Sequence, residues 1–145
     1  MKDPYKDGMF SSNPYYAKSD IQGSLVVVLD GRLESRGLEL ITQISRCVRR
    51  HDIHELIVSD EPDLGAGSKV DKVAYLAFIE INQPGVLTIG DEVLWAGRVI
   101  GTVAGFDETH MPNHLNIVIS ARERRSGADL KLNLGDSITF RQCKS

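Results

Sequence analysis

The second half of the chain alternates short apolar runs with turn residues, and this pattern constrains the fold more than any other sequence feature. The runs are rich in valine, isoleucine and aromatic residues, which favour strands. Gly, Pro, Asn and Asp separate them, as is typical of turns between strands. We therefore predict strands at VAYLAFIEI, VLTI, GDEVLWAG, RVIGTVAGF, LNIVISA, DLKLNL and GDSITF.

Two of these runs resemble each other, LTIGDEVLW from Leu87 and LNLGDSITF from Leu132. Each places Gly-Asp before an alternating strand, where glycine permits a tight turn and aspartate binds nearby backbone amides. Further glycines at 97, 101 and 105 mark positions where strands bend sharply. Repeated short strands of this kind predict a small closed β-barrel.

The first half of the chain is more varied. Residues 1–23 mix Pro, Gly, Ser, Asp and tyrosines without a period, and we expect a flexible N-terminal arm. Residues 25–29 (LVVVL) and the ELIVSD run predict further strands. Residues about 33–50 are predicted as a helix, with an apolar face that contains Leu40, Ile41, Ile44, Cys47 and Val48. The predicted fold is mainly β with one substantial helix (α+β), in a single barrel domain over residues 24–145.

Charge and composition argue against several classes of function. With 17 basic and 20 acidic residues in 145, the chain lacks the basic excess of a nucleic-acid-binding protein. Its basic clusters RCVRR and RERR are interpreted as solvated surface. The apolar runs are too short to span a bilayer, and the two cysteines form no redox or zinc motif. We expect a cytoplasmic protein, without membrane or nucleic-acid partners, that forms a homo-oligomer, such as a homodimer, by exchanging its tyrosine-bearing arm.

A longer segment, PGVLTIGDEVLWAGRVIGTVAGFDETHMPNHLNIVIS, resembles the barrel region of the glucitol/sorbitol-specific IIA component of the bacterial sugar phosphotransferase system. The resemblance covers about the C-terminal half, and it is carried by GTVAGF and by His114 before LNIVI. It implies a small closed β-barrel. The phosphoryl-accepting histidine of that family would lie on the YLAFIEIN strand, which has no histidine here. The resemblance therefore implies a barrel without phosphoryl transfer at that strand.

The DETHMPNH stretch is the densest group of functional side chains in the chain. We predict a ligand-binding pocket beside it, with Asp107, His110, Asn113 and His114 as contacts. The spacing of Asp107, His110 and His114 also fits a zinc site. In that alternative, Glu108 is the catalytic candidate, a general base on a metal-bound water. A third interpretation is a polar turn between two strands.

A second group, HDIHE, contains His51 and His54, and the two histidine pairs would form a four-histidine site if they met. No other cofactor is indicated, because the LGAGSK loop lacks the spacing of a phosphate-binding loop. The favoured function is that of a non-catalytic module, either ligand-binding or regulatory. The alternative is a metal-dependent hydrolase or lyase that uses the loop from Asp107 to His114.

Overall fold

A computed structural model describes residues 18–143, and these residues are mainly β. The strands are β1 (Ile21–Val28), β2 (Arg32–Leu33), β3 (Leu38–Glu39), β4 (Ser45–Val48), β5 (Ile53–Ser59), β6 (Lys69–Val70), β7 (Val73–Gln83), β8 (Gly85–Thr88), β9 (Glu92–Trp95), β10 (Arg98–Asp107), β11 (Asn116–Ser120) and β12 (Ser137–Arg141). A single short helix within this range, α1 (Gly127–Leu130), lies between β11 and β12. No helix among the described residues has the length and apolar character needed to cross a membrane.

Eight strands form one large sheet in the order β1-β12-β9-β10-β11-β5-β7-β2. Strand β1 also pairs with β7, so the hydrogen-bonded pairings of seven strands return to β1 and form a ring. The pairing of β5 with β11 is parallel, and the other pairings in the ring are antiparallel. The N-terminal ends of β5 and β11 therefore lie together, and their C-terminal ends lie together at the opposite end of the pair.

Two hydrophobic cores lie on opposite faces of this sheet. The first takes side chains from all seven strands of the ring, among them Leu25, Leu56, Leu76, Phe106 and Phe140. The second lies across β5, β7, β10 and β11, where Ile57 and Val118 pack against Leu38, Leu40 and Val70. The segments that contain β3 and β6 therefore cover the outer face of the sheet.

The predicted strands after Val73 are confirmed, with one exception. The two Gly-Asp motifs form matching turns, in which Asp91 Oδ2 accepts from Thr88 N and Asp136 Oδ2 accepts from Asn133 N, both at 2.9 Å. The strands that follow these turns, β9 and β12, pair with each other. The exception is DLKLNL, which forms the end of α1 and a turn. Its helix begins at a capping box in which Ser126 and Asp129 bond to each other's backbone N–H groups.

The predicted helix at residues 33–50 is wrong, because these residues form β2, β3 and β4 with loops between them. Strand β3 pairs with β6, and β4 pairs with β8. Apolar residues of the supposed single face enter different cores, since Leu40 belongs to the second core and Val48 to the first. Ile44 is 52% exposed. Strand pairing at long range thus prevails over a helical spacing of apolar residues.

Most of the predicted arm, residues 1–17, lies outside the described residues. Its last part, Ile21 to Gly23, already belongs to β1. Lys18 forms a buried ion pair with Asp91, and its ammonium also donates to the carbonyl of Val86.

Candidate functional site

The stretch from Asp107 to His114 connects β10 to β11 beside the N-terminal end of β5. Backbone bonds from Met111 N to Glu108 O and from His114 N to His110 O form a compact turn. Because β11 and β5 are parallel, this turn lies next to His54 and Glu55. The site is therefore built from the loop and the first residues of two buried strands.

Asp107, which the sequence predicts as a ligand contact, is held by hydrogen bonds within the protein. Its side chain is buried, and it accepts hydrogen bonds from Glu39 N at 3.2 Å, Thr109 N at 3.0 Å and Asn116 Nδ2 at 3.1 Å. A buried carboxylate with three N–H donors has its acceptor capacity largely used. Asp107 thus ties the loop to β11 and to the segment that covers the second core.

His110 and His114 lie against each other in this loop. Their rings stack with centroids 4.9 Å apart and an interplanar angle of 29°, and the edge of Phe78 contacts His114 at 5.1 Å. Asn113 Nδ2 donates to His114 Nδ1 at 2.9 Å, so the neutral ring carries its proton on Nε2. Nε2 is buried and makes no hydrogen bond among the described residues, but it lies 3.5 Å from Glu55 Oε1.

Glu55 is a carboxyl group inside a strand of buried apolar residues. Only 8% of the residue is exposed, and burial raises its pKa above the ordinary value, while His110 and Arg36 oppose the shift. Arg36 Nη2 lies 3.5 Å from His110 Nε2. The chain Arg36, His110, His114 and Glu55 thus leads from the surface to a buried acid whose proton affinity is increased.

His54 lies on the other face of β5 and is held in one tautomer. Its Nδ1 accepts from Leu115 N at 3.0 Å, so the proton lies on Nε2, which faces Asp52 Oδ2 at 3.3 Å. Burial lowers the pKa of His54, and Asp52 only partly offsets this effect. The ring therefore stays neutral to lower pH than an exposed histidine.

A polar cavity of about 310 Å³ opens between this loop and the end of β4. It is lined by Arg46, Cys47, Arg49, Asp52, Ile53, His54, Met111, Pro112, Asn113, His114 and Leu115. Arg46 pairs with Glu108 at 2.5 Å, which places Glu108, the predicted general base, in a partly exposed ion pair. Of the four predicted contacts, Asn113 and His114 line the cavity, whereas Asp107 and His110 do not.

Three of the four histidines meet at this end of the sheet. The fourth, His51, is largely exposed and pairs with Glu80 at 3.2 Å, so the structure does not form a four-histidine site. Within residues 18–143, no group of three or more His, Cys, Asp and Glu side chains is placed to hold a metal ion. The predicted set of Asp107, His110 and His114 is therefore not brought together as ligands.

The sequence did not identify Arg46 of β4 or Arg49, just after this strand, as site residues, because both were predicted to lie in a helix. It also gave Glu55 no role. One signal was available for Glu55. A glutamate between His54 and the apolar run LIV is an ionisable group at the start of a buried strand, where a partner is required.

Comparison with known proteins shows a family to which the chain is similar. A model of a family of unknown function, DUF6917, matches residues 15–141, which include the cavity, the loop and all seven strands of the ring. No curated protein and no solved structure was found to match the chain. The chain belongs to the DUF6917 family of unknown function.

Proposed function

We propose that this protein is a binding module for a small anionic ligand, which enters the cavity between β4 and the Asp107 to His114 loop. The observation that carries the proposal is the lining of this cavity. Two arginines, two histidines and an asparagine converge on about 310 Å³ of polar space. A concave site with converging polar groups next to ionisable residues of shifted pKa is typical of ligand-binding sites.

The arginines supply the attraction for an anion. Arg49 forms no side-chain ion pair or hydrogen bond with another described residue, and Arg46 is held only by the partly exposed Glu108. A carboxylate or phosphate can accept paired N–H groups from a guanidinium. A bound anion would also favour the protonated form of His54, whose pKa is lowered by burial, so we expect binding to strengthen as pH falls toward that lowered pKa.

Binding is proposed rather than chemistry because of how the candidate catalytic groups are engaged. Glu108 pairs with Arg46, and Asp107 is occupied by three N–H donors. Both nitrogens of His54 face partners. These contacts suit a rigid, charged receptor for an anion.

A second proposal concerns the closed β-barrel that the sequence predicts. We propose that the seven-strand ring is a closed barrel of the type implied by the glucitol/sorbitol IIA resemblance. The return of the pairings to β1 and the matched Gly-Asp turns support it. Self-association through the N-terminal arm and a cytoplasmic location stay predictions, the first to be tested by light scattering.

Cys47 provides a direct test of the binding proposal, because it lines the cavity whereas Cys143 lies outside it. Both cysteines are exposed, so peptide mass spectrometry can follow their alkylation by iodoacetamide separately. We expect inorganic phosphate, citrate or glucose 6-phosphate to slow the alkylation of Cys47 saturably and to leave Cys143 unchanged.

Two variants sharpen this test. Arg46→Gln should weaken the protection about tenfold or more, and Glu108→Gln should strengthen it by releasing Arg46. Arg50→Gln, an exposed arginine outside the cavity, is the matched control and should behave as the wild type. If none of the three anions changes the Cys47 rate at millimolar concentration, the proposal is wrong.

A further inference from the structure

A second and larger cleft lies at the opposite end of the parallel strands β5 and β11. It has a volume of about 660 Å³ and opens where β5 ends at Ser59 and β11 ends at Ser120. It shares no lining residue with the polar cavity described above. The two concave sites are therefore separated by the length of the strand pair.

The floor of this cleft is apolar. Val58, Ile100 and Leu130 line it and also pack at or near the first core. Val99 lines it as well and is 48% exposed. Covering an exposed valine in an apolar cleft with another apolar group is favourable, because it removes apolar surface from water.

One edge of the cleft is cationic. A shallower depression of about 400 Å³ continues from it and shares Asp60, Arg122, Glu123 and Arg125 with it, adding Arg32 and Arg124. The depression thus has four arginines against two acids. The cleft is also lined by Glu61 and Asp63.

One of these arginines has donors that the protein leaves unused. Arg122 is exposed and makes no ion pair or side-chain hydrogen bond with any residue between 18 and 143. The guanidinium of Arg124 is already engaged, since its Nη2 donates to Glu34 Oε1 at 2.8 Å and its Nη1 donates to the carbonyl of Leu33 at 3.1 Å. Arg122 is therefore the arginine whose donors are open to a ligand carboxylate.

We propose that this cleft binds a small amphipathic carboxylate, such as a medium-chain fatty acid. Its apolar chain lies on Val99, Ile100 and Leu130, and its carboxylate accepts from Arg122. The acids Glu61 and Asp63, which also line the cleft, repel a second negative charge, so the cleft selects a monoanion with an apolar body over a polyanion. This inference does not depend on the function proposed for the polar cavity.

Octanoate is the probe for this site, with octan-1-ol and octylammonium as ligands of the same chain length. Isothermal titration should give saturable octanoate binding that is at least about tenfold tighter than binding of either comparison ligand. Backbone amide shifts in NMR spectra should change at residues 58–63, 99–102 and 120–125, and not at residues 46–54.

Two variants test separately the contributions of the carboxylate and of the apolar chain of octanoate. Arg122→Gln should weaken octanoate about tenfold and leave octan-1-ol unchanged, whereas Val99→Asp should weaken both. Arg50→Gln, at an exposed arginine that lines neither cavity, is the matched control and should bind octanoate as the wild type does. All variants are checked for an unchanged far-UV spectrum, and the substituted residues are exposed or half-buried.

Three outcomes would overturn the proposal. The first is no saturable octanoate binding at millimolar concentration. The second is equal affinity for octanoate and octylammonium. The third is octanoate binding that Arg122→Gln and Val99→Asp leave intact. Failure here does not affect the Cys47 protection test, since the two sites share no residue.

Discussion

Glu55 carries a carboxyl group and is only 8% exposed. It lies near the start of β5, before the buried apolar residues Leu56 to Val58, and its Oε1 lies 3.5 Å from Nε2 of His114. Its raised pKa means that the folded state holds the proton more tightly than the unfolded state does. The contribution of Glu55 to stability is therefore complete below pH about 4.5 and falls as pH rises through the raised pKa.

Glu55→Gln tests this directly. Because glutamine cannot ionise, the stability of the variant relative to the wild type should increase as pH rises from 4.5 to 7.5. Urea denaturation at several pH values measures the difference. Glu39→Gln, at an exposed glutamate, is the control. A difference for Glu55→Gln that does not change with pH would contradict the argument.

His54 affects the pH dependence of stability in the opposite direction to Glu55. Its pKa is lowered from 6.5 by burial, so the unfolded chain binds the proton more readily than the folded chain. The contribution of His54 to stability is present above pH about 6.5 and is lost as pH falls through the lowered pKa. His54→Leu should remove this pH dependence, and at neutral pH it should cost about 1–3 kcal/mol because Leu115 N loses its buried acceptor.

The control for that prediction is His110→Leu, at an exposed histidine of the same cluster. Denaturation midpoints at pH 7.5 and 5.5 give the comparison. If His54→Leu loses as much stability on acidification as the wild type, then His54 is not the titrating group.

At the level of elements, strand β10 is shaped by two close contacts at glycines. Both lie where the register shifts, Gly101 against β9 and Gly105 against β11. A Cβ at position 101 would lie 2.5 Å from the backbone oxygen of Ser120, whereas one at position 105 would meet the tip of the Leu40 side chain at 2.8 Å.

We therefore expect Gly101→Ala to destabilise the protein more than Gly105→Ala. Backbone atoms of a paired strand cannot move without breaking hydrogen bonds, whereas a leucine side chain can change rotamer. Overpacking of this kind costs about 1–3 kcal/mol, and Gly101→Ala should lie at the upper end. Thermal melts followed by circular dichroism measure the order, and equal melting temperatures would contradict the steric explanation.

The Gly-Asp turn before β12 connects to the only tryptophan, since Asp136 Oδ2 accepts from both Asn133 N and Trp95 Nε1 at 2.9 Å. Asp136→Ala should cost about 1–3 kcal/mol and should shift the emission of Trp95. Glu123→Ala, at an exposed acid outside this turn, is the control. An unchanged emission spectrum of folded Asp136→Ala would show that this bond is not formed in solution.

The elements also show what the sequence can predict. Alternation and turn residues suffice for β7 to β11, because each of these strands pairs with a neighbour through a short connection or has a strong apolar run. They fail for Leu38 and Val48, which lie in β3 and β4, because the partner strands β6 and β8 lie far along the chain. Prediction of the site is limited in the same way. The Asp107 to His114 loop is predicted from its own residues, whereas Arg46 and Arg49 reach the cavity only because β4 pairs with a strand far along the chain.

For the whole molecule, the pairing of β1 with both β7 and β12 joins the beginning and the end of the ring. No strand of the ring can leave without opening two ladders, so we expect a single cooperative unfolding transition. Urea curves recorded by Trp95 fluorescence and by far-UV circular dichroism should coincide. Phe140→Ala, in β12, should lower both midpoints together and cost about 3–5 kcal/mol. Separate transitions would show that the ring unfolds in parts.

The closure of the ring also gives the protein engineer a choice of termini. Ile21 and Phe140 are direct partners in an antiparallel pair, so a short linker can join the end of β12 to the start of β1. New ends can then be placed at the exposed hairpin of Ala96 and Gly97, where insertions and breaks are best tolerated. A circularly permuted chain of this kind keeps each ladder of the ring.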